Sequence, residues 1–311
     1  MRLDGKEIAT RLYTELKARV AQLQEKHITP HLVVFLVGEN PASVAYVTLK
    51  QKTGEEIGAK VTILKYPTSI TTQELAEKVK LLNADPFVHG ILIQRPLPEQ
   101  IDVDKLELLT DPQKDIDGFH PDSPYTLPLP LAVGKILEEV FCQSTEAGVA
   151  GVGTLLERLE RTKRVKPSER GDSRQDPIKF NQWLQKQNIV LIGKGPTGGG
   201  PIIEYLKTLN IKPNLIDSKT KEPEQLMQQA DIIISAVGRE HTVKPESLKQ
   251  GVALISVGIN RGENKKLHGD YNEEQIKDIA SFYTPTPGGV GPVNVAMLWE
   301  NLITATERQT K

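Results

Sequence analysis

Cysteine is nearly absent from this chain of 311 residues, Cys142 being the only one. One thiol excludes an internal disulfide framework and any thiolate cage around a metal, and it agrees with a reducing compartment. Net charge is nearly absent too. Thirty-nine Lys and Arg residues stand against 40 Asp and Glu, leaving −1, so no global field draws the chain onto nucleic acid or anionic lipid, and a small-molecule partner is expected. The six histidines, His27, His31, His89, His120, His241 and His268, show no metal-ligand spacing, and no metal is expected. No uninterrupted apolar run reaches the ~20 residues that a membrane span requires. Met1 to Leu12 read as the opening of an amphipathic helix and lack the apolar core and cleavage pattern of a signal peptide, so no export is expected. Repeats and low-complexity tracts are also lacking. The expectation is a soluble, cytoplasmic protein.

What the chain does have is length and a regular alternation. At 311 residues and 38% hydrophobic it is long enough for two cores, because single cores stop growing at about this size. Ile8, Leu12, Leu16 and Leu23 mark a helix from about Asp4 to about His27, with Asp4 a good N-cap. Leu32 to Val37 is a continuous β-prone run, and Pro41 suits the first turn of a helix that runs to about Gly58. The alternation continues with a strand at Val61 to Tyr66, a helix from about Thr71 to Leu82, and a strand from Gly90 to Gln94. Apolar strands separated by helices predict a parallel sheet covered on both faces.

A second series follows residue 160. Strands are expected at Asn188 to Ile192, Pro213 to Ile216, Asp231 to Ala236 and Val252 to Val257, with a helix at Gly198 to Leu209 and a last helix from about Val293. Between the two series, Arg161 to Gln187 is rich in Lys, Arg, Ser and Asp. Its first part can hardly bury apolar area, so the segment reads as an exposed insertion, with disorder expected near Pro167 to Gln175.

Ile189 to Gly198 reads IVLIGKGPTG, so Gly193, Gly195 and Gly198 fit G-x-G-x-x-G between an apolar strand and a helix. In such a turn the first glycine permits the bend, the second lets a pyrophosphate approach the backbone, and the third lets helix pack on strand. Free N–H groups at the helix start then hold the phosphate. Asp217 closes the next strand about 20 residues on, where an acidic side chain usually meets a ribose hydroxyl. The plain alternative is a structural turn followed by a solvated aspartate. Asp217 should repel the extra phosphate of NADP, whereas Lys194, Lys219 and Lys221 should attract it.

In the first half, Tyr46 and Lys50 are spaced i, i+4, so both side chains emerge on one helix face. A lysine near the C-terminal edge of a sheet can be desolvated until its neutral amine is accessible near neutral pH, as proton-transfer work requires. Alone, Lys50 also reads as a surface lysine and Tyr46 as a core ring with a wet hydroxyl. Gln94 ends a buried strand, and Asp117 lies in the loop Asp115-Ile116-Asp117-Gly118-Phe119-His120; both stand where ligands sit in α/β proteins. Taken singly, Asp117 also fits an Asx turn before Gly118, and Gln94 a strand cap.

Together these residues resemble a known family, the bifunctional methylenetetrahydrofolate dehydrogenase/cyclohydrolases. The resemblance rests on Val37 to Ser43 (VGENPAS), Tyr46 to Lys52 (YVTLKQK), Glu55 to Gly58, Gln94 to Pro98 (QRPLP), Lys114 to Pro121 (KDIDGFHP), Ala230 to Gly238 (ADIIISAVG), Val257 to Asn260 (VGIN) and Thr284 to Pro292 (TPTPGGVGP). It implies an N-terminal α/β catalytic domain at 1–145 plus 288–311, with the last helix returning to it, and a Rossmann-like NAD(P)-binding domain at 146–287. It also implies oxidation of 5,10-methylenetetrahydrofolate with reduction of NADP, hydrolysis of the methenyl product to 10-formyltetrahydrofolate in one cleft, and a homodimer in the one-carbon supply to purine biosynthesis. By the same resemblance Lys50 is the central catalytic residue, Tyr46 positions the folate ring system, Gln94 tunes Lys50 and Asp117 recognises the pterin. Pro287, Gly288 and Gly289 would line the folate cleft. Gly193, Lys194, Gly195, Gly198, Asp217, Ser218 and Ile259 would hold the dinucleotide.

The chain departs from the family pattern in places. The usual Pro-Cys-Thr-Pro between the domains is absent where the sequence reads Gln143-Ser144-Thr145-Glu146, which suggests a rebuilt hinge. Gly193-Lys194-Gly195 and Asp217-Ser218 stand where Gly-Arg-Ser and His-Ser are common, which leaves NAD possible beside NADP. Arg95 and Asn294 replace the more usual Leu and Thr. Two other readings compete: a two-domain NAD(P)-dependent amino-acid dehydrogenase, and a non-catalytic dinucleotide-binding protein.

Overall fold

The computed structural model describes residues 1–149, 176–262 and 266–311. In chain order its elements are α1 (Gly5–Glu25), β1 (His31–Val37), α2 (Pro41–Ile57), β2 (Lys60–Tyr66), α3 (Thr72–Ala84), β3 (Gly90–Ile93), α4 (Val103–Leu109), α5 (Pro128–Val149) and α6 (Pro177–Leu184). Then come β4 (Ile189–Ile192), α7 (Gly199–Thr208), β5 (Asn214–Ile216), α8 (Pro223–Gln229), β6 (Ile232–Ser235), β7 (Ala253–Ser256), β8 (Asn260–Arg261), β9 (Leu267–His268), α9 (Glu273–Ile276), β10 (Phe282–Tyr283) and α10 (Val290–Gln309). Two compact units result, Lys6–Leu131 with Pro292–Lys311, and Met1–Gly5 with Ala132–Gly291. They divide at the start of α1 and inside α5 and α10. Helix α5, not anticipated from the sequence, runs across residue 145, where a boundary was expected.

The unit containing Lys6–Leu131 is built on a parallel sheet of order β2-β1-β3. All seven residues of β1 are buried, as expected of a parallel strand covered on both faces. Alternate side chains serve two cores. Leu32, Val34 and Leu36 pack with Leu16 and Val20 of α1 and Trp299 and Leu302 of α10, while Val33, Phe35 and Val37 pack with Leu75 and Val79 of α3 and Leu106 of α4. The last helix therefore returns to this unit, and Arg19 of α1 secures it with two bonds to Glu307, at 3.0 and 2.8 Å, and one to Thr304 at 3.0 Å.

Helix α2 is defined at both ends. Asn40 caps it by accepting from Ala42 and Ser43 N–H at 3.0 and 3.2 Å, Pro41 fills the first turn, and Gly58 ends it in the left-handed region at φ 90°. Its azimuth is set by Trp299. A Cβ on Gly54 would lie 2.5 Å from that ring, and the indole N–H donates to Thr53 at 2.9 Å. Full burial of such a ring is worth about 2–3 kcal/mol, enough to hold one helix face.

The unit containing Ala132–Gly291 carries a five-stranded parallel sheet of order β10-β7-β6-β4-β5 and, apart from it, the small hairpin β8-β9. Its first strand, β4, lies between β5 and β6. Connections leave it in opposite directions, so the crevice at the C-terminal ends of β4 and β6 is the switch point where α/β sheets bind ligands. The chain start is part of this unit: Leu3 N–H donates to Tyr283 O at 2.8 Å and Tyr283 N–H to Met1 O at 3.0 Å.

The strands expected at 188–192, 213–216, 231–236 and 252–257 are all present within a residue or so. The exposed insertion expected at 161–187 is corrected at its end. Residues 177–184 form α6, capped by Asp176, and bury Phe180 and Leu184; the rings of Phe180 and Trp183 meet Phe141 at a tilt, with centroids 5.9 and 5.5 Å away. Three apolar side chains on one short turn outweigh the polar composition around them. The disorder expected near 167–175 lies outside the described residues. Residues 143–145, expected as a rebuilt hinge, continue α5, and Ser144 and Thr145 hydroxyls donate to the carbonyls of Val140 and Phe141.

Candidate active site

Tyr46 and Lys50 stand one turn apart on α2, Tyr46 41% exposed and Lys50 half-buried. The Lys50 ammonium donates to Oε1 of Gln94 at 3.0 Å. The other end of that amide, Nε2, donates to the Arg95 carbonyl at 2.6 Å, which fixes the oxygen rather than the NH2 toward the lysine. Gln94 is itself placed by the sheet, since its N–H extends the β1–β3 pairing to Phe35 O at 3.0 Å.

Asp117 comes from a loop that is tied to both the sheet and the last helix. Ile91 N–H of β3 donates to Lys114 O at 2.8 Å, and Asn301 of α10 donates to the carbonyls of Ile116 and Thr126, both at 2.9 Å. The buried Asp115 carboxylate accepts the N–H groups of Gly118 at 3.2 Å and His120 at 2.7 Å, folding the loop around itself. Gly118 takes φ 76°, and a Cβ there would lie 2.7 Å from Tyr125 O, so only glycine fits. Lys114 is buried but fully partnered. Its ammonium donates to the carbonyls of Leu82, Asn83 and Asp85 at 2.7–2.9 Å, where a cation also complements the end of α3.

The electrostatics follow from burial. Removal from water pushes the Lys50 amine below its ordinary value, with Asp117 opposing. Burial pushes the Asp117 carboxyl up, and Lys50 and then Arg95 pull it back. Burial also raises Asp115, against its bonds to the loop N–H groups. A desolvated lysine and a desolvated carboxylate that influence each other, beside a fixed amide oxygen, form a pair suited to proton transfer and to recognition of a polar heterocycle.

In the other unit, the glycine-rich turn joins β4 to α7. Gly193 takes φ 88°, and a Cβ there would meet Ala236 O at 3.0 Å, so the loops after β4 and β6 adjoin. A Cβ on Gly195 would meet nothing within 4 Å, leaving its backbone open to a ligand, and one on Gly198 would find ordinary contacts. The close helix–strand approach expected of Gly198 belongs instead to Gly199, whose Cβ would lie 1.9 Å from Gly193 O. The run of three glycines made either register possible in the sequence.

Asp217 stands at the end of β5 and pairs with Lys194 at 2.8 Å. That bond, the Lys219 N–H at 2.9 Å and the Thr220 hydroxyl hold its carboxyl down at about 2. Ser218 is exposed beside it. The open backbone at Gly195, the start of α7 and the aspartate fit a dinucleotide: pyrophosphate on the turn, ribose at Asp217.

The rim continues along the sheet. A Cβ on Gly238 would lie 3.1 Å from the carbonyl of Ile259, whose side chain is 42% exposed. Asp270, fully buried and not anticipated from the sequence, shapes this rim by accepting Val237 and Arg239 N–H at 3.3 and 2.8 Å. Pro287 is exposed, Gly288 takes φ 105° and accepts Gly5 N–H at 2.8 Å, and Gly289 is buried with its backbone against Gly5. These three belong to the same unit as the glycine-rich turn, and Tyr46, Lys50, Gln94 and Asp117 to the other. Among the described residues no group of three or more His, Cys, Asp or Glu side chains gathers as metal ligands would, and no helix is long and apolar enough to cross a membrane.

Comparison with known proteins agrees with both halves of the description. The family model "Tetrahydrofolate dehydrogenase/cyclohydrolase, catalytic domain" matches residues 3–117, and the one for the NAD(P)-binding domain of the same family matches residues 178–310. The chain is similar to the bifunctional protein FolD of Lactococcus lactis subsp. lactis, 34% identical over 309 residues that cover 99% of this chain and 97% of the relative. Among solved structures it is similar to the bifunctional FolD of Campylobacter jejuni (TM-score 0.83, 32% identity, 99% of each chain). It is also similar to FolD of Trypanosoma brucei, solved with NADP cofactor and inhibitor (TM-score 0.74, 26% identity, covering 100% of this chain and 98% of that one). These findings favour neither an amino-acid dehydrogenase nor a non-catalytic binding protein: the chain belongs to the tetrahydrofolate dehydrogenase/cyclohydrolase family and is a bifunctional enzyme.

Proposed function

We propose that this enzyme oxidises 5,10-methylenetetrahydrofolate to the methenyl form and hydrolyses that product to 10-formyltetrahydrofolate, with Lys50 as the proton-transfer group. The observation that carries the reading is the Lys50–Gln94 bond at 3.0 Å beside the Asp117 carboxylate. Asp117 binds the pterin, because a carboxylate matches two adjacent N–H donors. Tyr46, exposed one turn from Lys50, covers the ring system and limits its orientation. When bound, the nicotinamide supplies the hydride acceptor for the oxidation. Lys50, as the free amine, takes a proton from the water that adds to the methenyl carbon. The resulting ammonium then gives a proton to N5 as the carbon–N5 bond breaks, and the hydroxyl proton leaves with formation of the formyl group. Gln94 keeps the lysine nitrogen aimed at that carbon throughout.

Folate chemistry is assigned to 1–145 with 288–311, and dinucleotide binding to 146–287. Gly193, Gly195, Gly198 and the start of α7 would hold the pyrophosphate, and Lys194, Asp217, Ser218 and Ile259 the adenosine and nicotinamide ends. NADP is the proposed cofactor, supported by the family and by the NADP complex of the T. brucei relative. NAD is the second reading, favoured by the Asp217 carboxylate, which meets a ribose diol better than a phosphate. The family resemblance also supports a cytoplasmic homodimer that feeds purine biosynthesis. The test is a titration of initial rate with methylenetetrahydrofolate against each dinucleotide, with formation of the 10-formyl product followed separately. Turnover on amino or hydroxy acids and none on the folate would overturn the reading.

A further inference from the structure

Arg95 lies next to Gln94, just after the end of β3. Its backbone and its side chain have separate roles. The carbonyl accepts Gln94 Nε2 at 2.6 Å and the Ser43 hydroxyl at 3.4 Å, joining the end of β3 to the first turn of α2. The guanidinium pairs with Glu107 of α4 and lies over the ring of Phe119, 4.3 Å from its centroid. Phe119 follows Asp117 by two residues in the 115–120 loop. The planar group therefore joins α4 to the loop that presents Asp117. A charge already paired with Glu107 is poorly suited to capturing a free anion, so its contribution is orientation.

We propose that Arg95 is a positioning residue of the folate site, its guanidinium bracing the Phe119 end of the loop against Glu107 so that Asp117 faces the ligand in one fixed direction. The inference rests on the folate reading above. Arginine suits the task because one flat group can stack on a ring and donate in its own plane at the same time, which an ammonium cannot do. Asp117 is faced by Lys50 from α2, by Arg95 from the end of β3 and by Asp115 from its own loop, while Glu107 from α4 faces Arg95.

The test compares the wild-type enzyme with Arg95→Leu, Arg95→Lys and Phe119→Leu. Arg95→Leu keeps the backbone carbonyl and its two bonds and removes only the brace. It should raise KM for methylenetetrahydrofolate about tenfold while leaving the dehydrogenase kcat within about twofold. Removing one of the two cations near Asp117 should also move the acid limb of the dehydrogenase kcat/KM to higher pH. Arg95→Lys should keep the acid limb near its wild-type position yet retain most of the KM loss, and Phe119→Leu should raise KM with the arginine in place. Dinucleotide affinity, titrated without folate, and thermal unfolding serve as controls for an intact fold. Wild-type KM and acid limb in both Arg95→Leu and Phe119→Leu would overturn the proposal, as would full recovery of KM by Arg95→Lys. Absence of folate turnover in the wild type would instead overturn the functional reading on which the proposal depends.

Discussion

The ammonium of Lys50 donates to Oε1 of Gln94 at 3.0 Å, and this one bond links the middle of α2 to the end of β3. Because Gln94 is also held by the Arg95 carbonyl, the lysine nitrogen has a fixed direction. Gln94→Leu should therefore leave Lys50 present but unaimed. The expected result is a fall of ~10–100-fold in the hydrolysis rate constant with a smaller change in KM, read from single-turnover hydrolysis of the methenyl compound.

Hydrolysis requires Lys50 as a free amine, and burial lowers its pKa. The rate should then be full above that depressed value and fall as pH drops through it, the reverse of what an ammonium acid would give. Asp117 opposes the shift, so Asp117→Asn should move this limb of kcat to lower pH. A pH profile of kcat for hydrolysis checks the sign, and movement to higher pH would contradict it.

Two glycines of one turn should behave differently. Gly199→Ala places a methyl 1.9 Å from Gly193 O, so it should destabilise the domain by about 1–3 kcal/mol and abolish dinucleotide binding. Gly195→Ala meets nothing within 4 Å and should melt as the wild type does, yet lose dinucleotide affinity, because the methyl fills the approach to the backbone. Thermal unfolding with and without dinucleotide separates the two.

Most of the fold was legible because its signals are local: continuous apolar strands, Asn40-Pro41 and Gly58 at the ends of α2, and the glycine turn after β4. Helix α5 was not anticipated; it opens with Pro128 and Pro130, which a first turn tolerates. Within the site, the lysine, glutamine and aspartate were legible as a set, but what holds them was not. Asp115 was visible only as a loop carboxylate, and its bonds to Gly118 and His120 depend on a loop path that periodicity does not encode. Glu107 and Phe119 are distant from Arg95 in sequence, and only the packed loop brings them to it.

Away from the site, His89 is buried and its Nδ1 accepts the N–H of His31 at 3.2 Å, so the bond needs the neutral ring. Burial, then His31 and Lys114, lower its pKa from 6.5 to about 4. The unfolded chain binds this proton first, so the stability in question is complete above about pH 6.5 and is lost as pH falls toward about 4. A contribution on the order of 2 kcal/mol is expected. Chemical denaturation across that window should show a flatter pH dependence for His89→Asn than for the wild type.

The central assignment is tested most directly by Lys50→Met, which keeps length and apolar stem and removes the amine. Hydrolysis of the methenyl compound and the affinity for a folate analogue should be measured on the same preparation. Loss of hydrolysis by ~100-fold or more, with affinity changed less than about tenfold, is the expected result. Hydrolysis retained at the wild-type rate, with the analogue still bound, would contradict the role given to Lys50.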